Sequence, residues 1–114
     1  MCLWFMRQVF TDLDKGLKHP LAMPLSIKSH HNLPPATIIN ALHDPLCDHG
    51  MLYANKLREC GVPVVRSVYR KSLHGFFGSS IGESDEAVAE AATALRFAYA
   101  QVLAKSKSIE LDDK

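Results

Sequence analysis

An aspartate and a histidine that could share a proton are the most informative feature of this sequence. Asp44 opens the tripeptide Asp-Pro-Leu, and His74 opens the tetrapeptide His-Gly-Phe-Phe further along the chain. A hydrolase that uses a Ser-His-Asp triad needs an acid that fixes the imidazole tautomer and a histidine that carries a proton between nucleophile and leaving group. The pair matches two of those three residue types. Whether the two residues can act as part of a triad depends on whether the fold brings them together.

The segment before the aspartate predicts a strand followed by a helix. The apolar, partly β-branched run from Ala36 to Leu42 is typical of a strand buried on both faces of a parallel sheet. A helix of about three turns should follow, with Asp48 as a candidate cap and Gly61 as a left-handed stop.

A second strand is predicted from Val62 to Tyr69, with the polar stretch 70–72 breaking it before His74. Strand, helix and strand form a βαβ unit, whose strands run the same way and end at one edge of the sheet. Neighbouring strands are about 4.8 Å apart, so we expect Asp44 and His74 to come within hydrogen-bond distance. Open α/β sheets place their ligand sites at this edge.

The remaining segments complete a predicted α/β fold: two parallel strands with a crossover helix and a final long helix, preceded by a short helix and a proline-rich connector. The last helix should run from near Ser84 to about Lys105. We expect residues 1–105 to form one partial domain and residues 106–114 a polar, frayed tail. The apolar stripe expected to pack on the sheet consists of Val88, Ala91, Ala92, Leu95, Ala98, Tyr99 and Val102.

Composition excludes several classes of partner. Thirteen basic and twelve acidic residues among 114 give a net charge of +1, and the basic residues are scattered, so no nucleic-acid partner is expected. The apolar opening is shorter than the roughly 20 residues that a membrane span needs. Three cysteines, with no C-x-x-C spacing, favour a reducing compartment, and we expect the cytoplasm. The histidines lack metal-binding i, i+4 spacing, so we expect neither metal nor cofactor.

A serine nucleophile is the missing third residue. A G-x-S-x-G pattern occurs around Ser80, but a nucleophile elbow needs a strand directly before it and a helix directly after, and its serine precedes the acid in chain order. Ser80 follows both Asp44 and His74, which argues against it. Ser26 and Ser29 precede the acid, but neither lies in such a pattern. We therefore predict no nucleophile in this chain.

Several motifs in order resemble one enzyme family. They are Asn32-Leu33-Pro34-Pro35-Ala36-Thr37-Ile38-Ile39, Asp44-Pro45-Leu46-Cys47-Asp48-His49-Gly50, Tyr53-Ala54-Asn55-Lys56-Leu57, Cys60-Gly61-Val62-Pro63-Val64, Tyr69 and His74-Gly75-Phe76-Phe77. Together they are similar to the carboxyl-terminal part of the hormone-sensitive-lipase-like α/β-hydrolases, the alpha/beta hydrolase fold-3 family of esterases and lipases. The resemblance implies that Asp44 is the triad acid, that His74 is the general base, and that acyl esters are hydrolysed through an acyl-serine intermediate.

The sequence also departs from that family. Cys47 and His49 stand where the family often has Arg and Glu, and Lys71 stands where a glycine commonly precedes the histidine by three. The family's G-D-S-A-G elbow and H-G-G-G oxyanion loop do not occur in the sequence. We therefore expect a piece of a serine esterase, from a truncated or split reading frame, that is inactive without a complementing chain.

The alternative hypothesis is a non-catalytic interaction module. Such a module would dock on a partner, or form a homodimer, through the exposed edge of the strand from Val62 to Tyr69.

Overall fold

A computed structural model describes the backbone of residues 2–112 and the side chains of residues 4–106. The elements in chain order are α1 (Cys2–Val9), α2 (Leu13–Gly16), a 3-10 turn (Pro24–Ser26), β1 (Ala36–His43), α3 (Cys47–Glu59), β2 (Val64–Leu73) and α4 (Ser84–Asp112). Among these residues, no helix combines the length and the apolar character needed to cross a bilayer.

The predicted α/β class is confirmed. β1 and β2 are parallel and form a two-stranded sheet, α3 connects them, and α4 follows. The expected end of the last helix near Lys105 is wrong, because α4 continues to Asp112. The hydroxyl of Ser106 donates to the carbonyl of Val102 at 3.0 Å within this helix, and the residues that follow include the good helix formers lysine, glutamate and leucine. The division into residues 1–105 and a tail stays a prediction.

Burial of the strands differs from the expectation of two covered faces. In β1 only Ala41 is buried, and 43% of Leu42 is exposed. In β2 only Ser72 is buried. The prediction of a strand covered on both faces is wrong for this chain, because the described residues form a sheet of only two strands and leave apolar side chains of both strands exposed.

The chain divides into two compact units. The first comprises the residues up to Ala36 together with Asp48–Val65, and the second comprises Thr37–Cys47 together with the residues from Arg66 onward. In the first unit, Ala54 and Leu57 of α3 are buried, whereas Leu52 is 48% exposed.

Gly61 ends α3 as predicted. It has a φ of 77°, its N–H donates to the carbonyl of Arg58 at 2.9 Å, and the N–H of Val62 donates to the carbonyl of Leu57 at 3.0 Å. These two bonds form a Schellman motif. The motif requires a left-handed backbone conformation, which glycine adopts without steric cost.

Polar contacts hold the connector against α3 within the first unit. The ring of buried His30 contacts the carbonyl of Pro24 at 3.0 Å through Nε2 and packs edge-on against Tyr53. Lys56 Nζ donates to the carbonyl of Leu25 at 2.7 Å. The connector is therefore ordered by its contacts with α3, although it contains little regular structure.

The second unit has a small apolar core, formed by buried Ala41, Phe76 and Ala87. Ile39 and Tyr69 are partly buried against it, and the rings of Tyr69 and Phe76 lie 5.5 Å apart.

Glu90 of α4 accepts two short hydrogen bonds from β2. Ser67 Oγ donates to Oε1 and Tyr69 Oη donates to Oε2, each at 2.6 Å. These bonds turn the face that carries Ala87 and Glu90 toward the strand. The predicted apolar stripe is therefore wrong in large part: Val88, Leu95, Tyr99 and Val102 are exposed, whereas Ala91 and Ala92 are half-buried.

The Tyr69 contact predicts a loss of stability at high pH. The hydrogen bond to Glu90, then burial, and then the charges of Glu90, Glu86 and Glu83 raise the pKa of Tyr69 to about 12 from 10.0. Between those values the unfolded chain releases the proton while the folded chain keeps it, so the free energy of unfolding falls as pH rises.

We expect Tyr69→Phe to lower the free energy of unfolding by about 1 kcal/mol at pH 8, because a hydrogen bond is lost. The same variant should lose less stability than the original chain when the pH rises from about 10 to about 12. Urea unfolding across this range measures both effects. An identical pH dependence in the two proteins would contradict the assignment.

Candidate functional site

Asp44 lies directly after β1, on a turn that fixes its side chain. Its Oδ1 accepts the N–H of Leu46 at 2.7 Å, and its carbonyl accepts the N–H of Cys47 at 2.9 Å. An aspartate that accepts a bond from the backbone two residues on forms an Asx turn. Because only 16% of the carboxylate side chain is exposed, Oδ2 is held in a defined direction.

Arg66 of β2 holds this turn against the sheet. Its Nε donates to Oδ1 of Asn40 at 2.9 Å, and its Nη2 donates to the carbonyl of Cys47 at 3.3 Å and lies 3.5 Å from the thiol. The guanidinium therefore links β1, β2 and the end of the turn that carries Asp44. Cys47, one of the departures from the family pattern, takes part through its backbone and its thiol.

His74 follows the last residue of β2. The prediction that residues 70–72 break the strand is wrong, because β2 continues to Leu73. Two features stabilise the extended strand. Ser72 is buried, with only 1% exposed, and the N–H of Lys71 donates to Oε2 of Glu83 at 2.8 Å. His74 is therefore the first residue after the strand.

The structure brings the two predicted site residues together. Nδ1 of His74 lies 2.9 Å from Oδ2 of Asp44. With an ionised carboxylate, this separation requires Nδ1 to carry the proton and donate it. The neutral ring then presents Nε2 as an acceptor. Within the described part of the chain no hydrogen bond to Nε2 is found, and 69% of the histidine side chain is exposed.

The loop after His74 is anchored by Phe76. This ring is 4% exposed in the core of the second unit, and its N–H donates to the carbonyl of Leu73 at 3.2 Å. Ser79 Oγ donates to the carbonyl of Phe76 at 2.5 Å. Gly75, between the histidine and this anchor, has a φ of 81°, which favours glycine. The loop can therefore leave the strand sharply and keep His74 outside.

Ser80 lies on an exposed turn well after β2 ends and before α4 begins. The arrangement of strand, serine and helix that defines a nucleophile elbow is not formed around it. α4 begins at Ser84, and Glu83 precedes the helix with its carbonyl accepting the N–H of Ala87 at 3.2 Å.

The other serines considered from the sequence make local contacts in the first unit. Ser26 Oγ donates to the carbonyl of Met23 at 2.8 Å, and Ser29 Oγ accepts the N–H of His31 at 3.4 Å. Among the residues that the structure describes, no group of three or more His, Cys, Asp or Glu side chains is arranged to hold a metal ion.

Sequence reasoning missed the residues that support the pair. Arg66, Ser72 and Glu83 were not singled out, although all three contact the segments that carry Asp44 or His74. A serine near the end of a strand and a glutamate before a helix are common local features. The hydrogen bond between Ser72 and Glu83 therefore becomes apparent only when the fold of the loop between them is known.

Comparison with protein families gives one match that covers most of the chain. A model of the alpha/beta hydrolase fold matches residues 1–78. The matched part includes Asp44 and His74 and ends in the loop that follows the histidine.

Individual relatives include proteins named as ester hydrolases. An arylesterase of Saccharolobus solfataricus is 41% identical over 66 residues, which cover 58% of this chain and 22% of the relative. An ethyl acetate hydrolase of Pseudomonas putida is 35% identical over 95 residues, covering 82% of this chain and 30% of the relative.

A solved esterase structure is also similar to this chain. The esterase of Pyrobaculum calidifontis superposes with a TM-score of 0.78 at 37% identity, covering 85% of this chain and 32% of that protein. The chain thus spans at most about a third of the length of these three proteins.

Proposed function

This chain belongs to the α/β-hydrolase fold family, as its hormone-sensitive-lipase-like motifs predicted, and we propose that it supplies the acid and the histidine of a serine esterase. The nucleophile and the oxyanion loop would come from polypeptide that these 114 residues do not contain. The proposed substrate class is a small acyl ester.

The observation that carries this proposal is the 2.9 Å contact between His74 Nδ1 and Asp44 Oδ2. The two residues come from separate strand ends and match the acid and base motifs of the family. Each has further support of its own, from Arg66 on the side of the acid and from Phe76 on the side of the histidine.

The geometry suits general base catalysis. Nε2 of His74 would remove the proton from a serine hydroxyl as the oxygen attacks the ester carbonyl, and would return that proton to the leaving alcohol. Asp44, which accepts the Nδ1 proton, would hold the tautomer and stabilise the imidazolium as it forms. Water would then attack the acyl-serine with His74 acting as the base again.

The incomplete constellation leads to the second part of the proposal, which is that this polypeptide alone does not hydrolyse esters. No G-x-S-x-G pattern precedes Asp44, and 69% of the His74 side chain is exposed to solvent. A catalytic pair gains most from an environment that excludes water and fixes the developing oxyanion. The segment that completes the fold would supply that environment.

A second candidate function rests on the sheet edges. Because β1 and β2 pair only with each other in the described residues, each strand has one unpaired edge. Unpaired edges recruit other strands, and Val65 of β2 is 60% exposed. On this alternative the chain docks on a partner or dimerises through β2, and it performs no chemistry.

A chimaera tests the catalytic proposal. The part of the Pyrobaculum calidifontis esterase that precedes the matched region would be fused to this chain, and hydrolysis of a short-chain nitrophenyl ester would be measured. We expect activity in the chimaera and none above buffer in the 114-residue chain. Asp44→Asn should lower kcat by about 10⁴-fold, the loss caused by the wrong histidine tautomer in a Ser-His-Asp hydrolase.

Matched controls separate catalysis from folding. Asp48→Asn and His49→Ala alter exposed residues of α3 and should leave the rate of the chimaera nearly unchanged. The proposal fails if His74→Ala and Asp44→Asn are as active as these controls, or if the 114-residue chain hydrolyses the ester by itself in a manner that depends on His74.

The alternative predicts a dimer in solution. Sedimentation velocity should then show a dimer for the original chain and a monomer for Val65→Lys, because a lysine on an edge strand opposes strand addition. Leu21→Lys changes a residue that is 87% exposed outside the strands and serves as the control. A monomeric original chain would rule out dimerisation through β2.

A further inference from the structure

We propose that Glu83 and Ser72 form a clasp that positions His74 for catalysis. This inference deepens the proposed function and rests on it, because it assigns residues that act through the histidine. The clasp is defined as the hydrogen bonds that join Glu83 to Lys71 and Ser72.

The clasp contains three hydrogen bonds. Oε2 of Glu83 accepts the N–H of Lys71 at 2.8 Å and the hydroxyl of Ser72 at 3.2 Å. In the other direction, the N–H of Glu83 donates to Ser72 Oγ at 3.1 Å. Glu83 is therefore engaged through both its side chain and its backbone, and the hydroxyl of Ser72 both donates and accepts. Bonds to an ionised carboxylate are roughly twice as strong as neutral ones.

The clasp closes the base of the loop that carries the histidine. Ser72 and Lys71 lie just before His74, and Glu83 lies at the start of α4, so the clasp ties the end of β2 to the beginning of the helix. Ser72 is 1% exposed, and a buried hydroxyl that lost its partners would cost free energy.

Gly82 packs closely against Ser72. A Cβ on Gly82 would lie 2.9 Å from Ser72 Oγ and 3.5 Å from Ser72 Cα, and Gly82 has a φ of 65°. Glycine at this position meets both conditions, since it has no side chain and tolerates a positive φ. The backbone of the loop can thus approach the strand closely enough for Glu83 to reach both donors.

His74 needs such support because its own side chain has little. Its ring is 69% exposed, and the bond to Asp44 is its one described contact to another side chain. An exposed polar contact competes with water and is weak by itself. The direction of the Nδ1–H bond therefore depends on where the backbone at the end of β2 places the imidazole, and the clasp determines that position.

Nitrogen NMR of the full 114-residue chain, labelled with ¹⁵N at histidine and at the backbone, tests this assignment. At pH 8, the signals of His74 are identified by their loss in His74→Ala, and their shifts give the fraction of the tautomer protonated at Nδ1. We expect Glu83→Gln to lower that fraction. The same variant should speed hydrogen exchange of the Lys71 amide roughly tenfold, because one hydrogen bond is weakened.

Controls separate a positioning role from a structural one. Glu86→Gln makes the same chemical change on an exposed residue in the first turn of α4 and should alter neither signal. Faster exchange at Lys71 with an unchanged His74 tautomer would show that the clasp is only structural and would overturn the inference. Unchanged exchange would overturn it as well.

Two further variants keep the test decisive. If Glu83→Gln does not fold, Ser72→Ala, which removes only a hydroxyl, is judged by the same two outcomes. Asp44→Asn tests the proposed function separately: with the side-chain oxygen still accepting from Leu46, the amide nitrogen would face His74 and donate to Nδ1, which favours the other tautomer. An unchanged tautomer in Asp44→Asn would reject the acid–histidine pair itself, whatever the clasp variants show.

Discussion

Parallel pairing of β1 with β2 is the constraint on which the contact between Asp44 and His74 depends. Because the two strands end at the same edge, residues far apart in sequence are placed 2.9 Å apart at Nδ1 and Oδ2. Arg66 attaches the turn after β1 to β2, and Phe76 anchors the loop after β2 in the core. Each half of the pair is therefore held by its own strand end.

The same sheet explains why the contact is exposed. Two strands and the helix face around Ala87 and Glu90 cover only part of the apolar surface, so Leu42 and Val65 face solvent. In the much longer esterase of Pyrobaculum calidifontis, about two thirds of the polypeptide lies outside the match. We infer that the matched third can form the acid–histidine contact, whereas water exclusion and the nucleophile depend on the rest.

The sequence predicted those features that follow from local rules and parallel topology. Asp44 and His74 could be paired because carboxyl ends of neighbouring parallel strands share an edge, and Gly61 could be placed because a helix end of this type needs a left-handed residue. The packing face of α4 could not be predicted from its apolar stripe. There, hydrogen bonds from Ser67 and Tyr69 to Glu90 outweigh the apolar pattern.

We propose that the catalytic serine is not among these 114 residues. Labelling with a serine-reactive fluorophosphonate, followed by mass spectrometry of the modified peptide, measures this. We expect no labelled serine in this chain and a labelled elbow serine in the chimaera, with slower labelling after His74→Ala. Labelling of Ser80 in the 114-residue chain, abolished by His74→Ala, would contradict it.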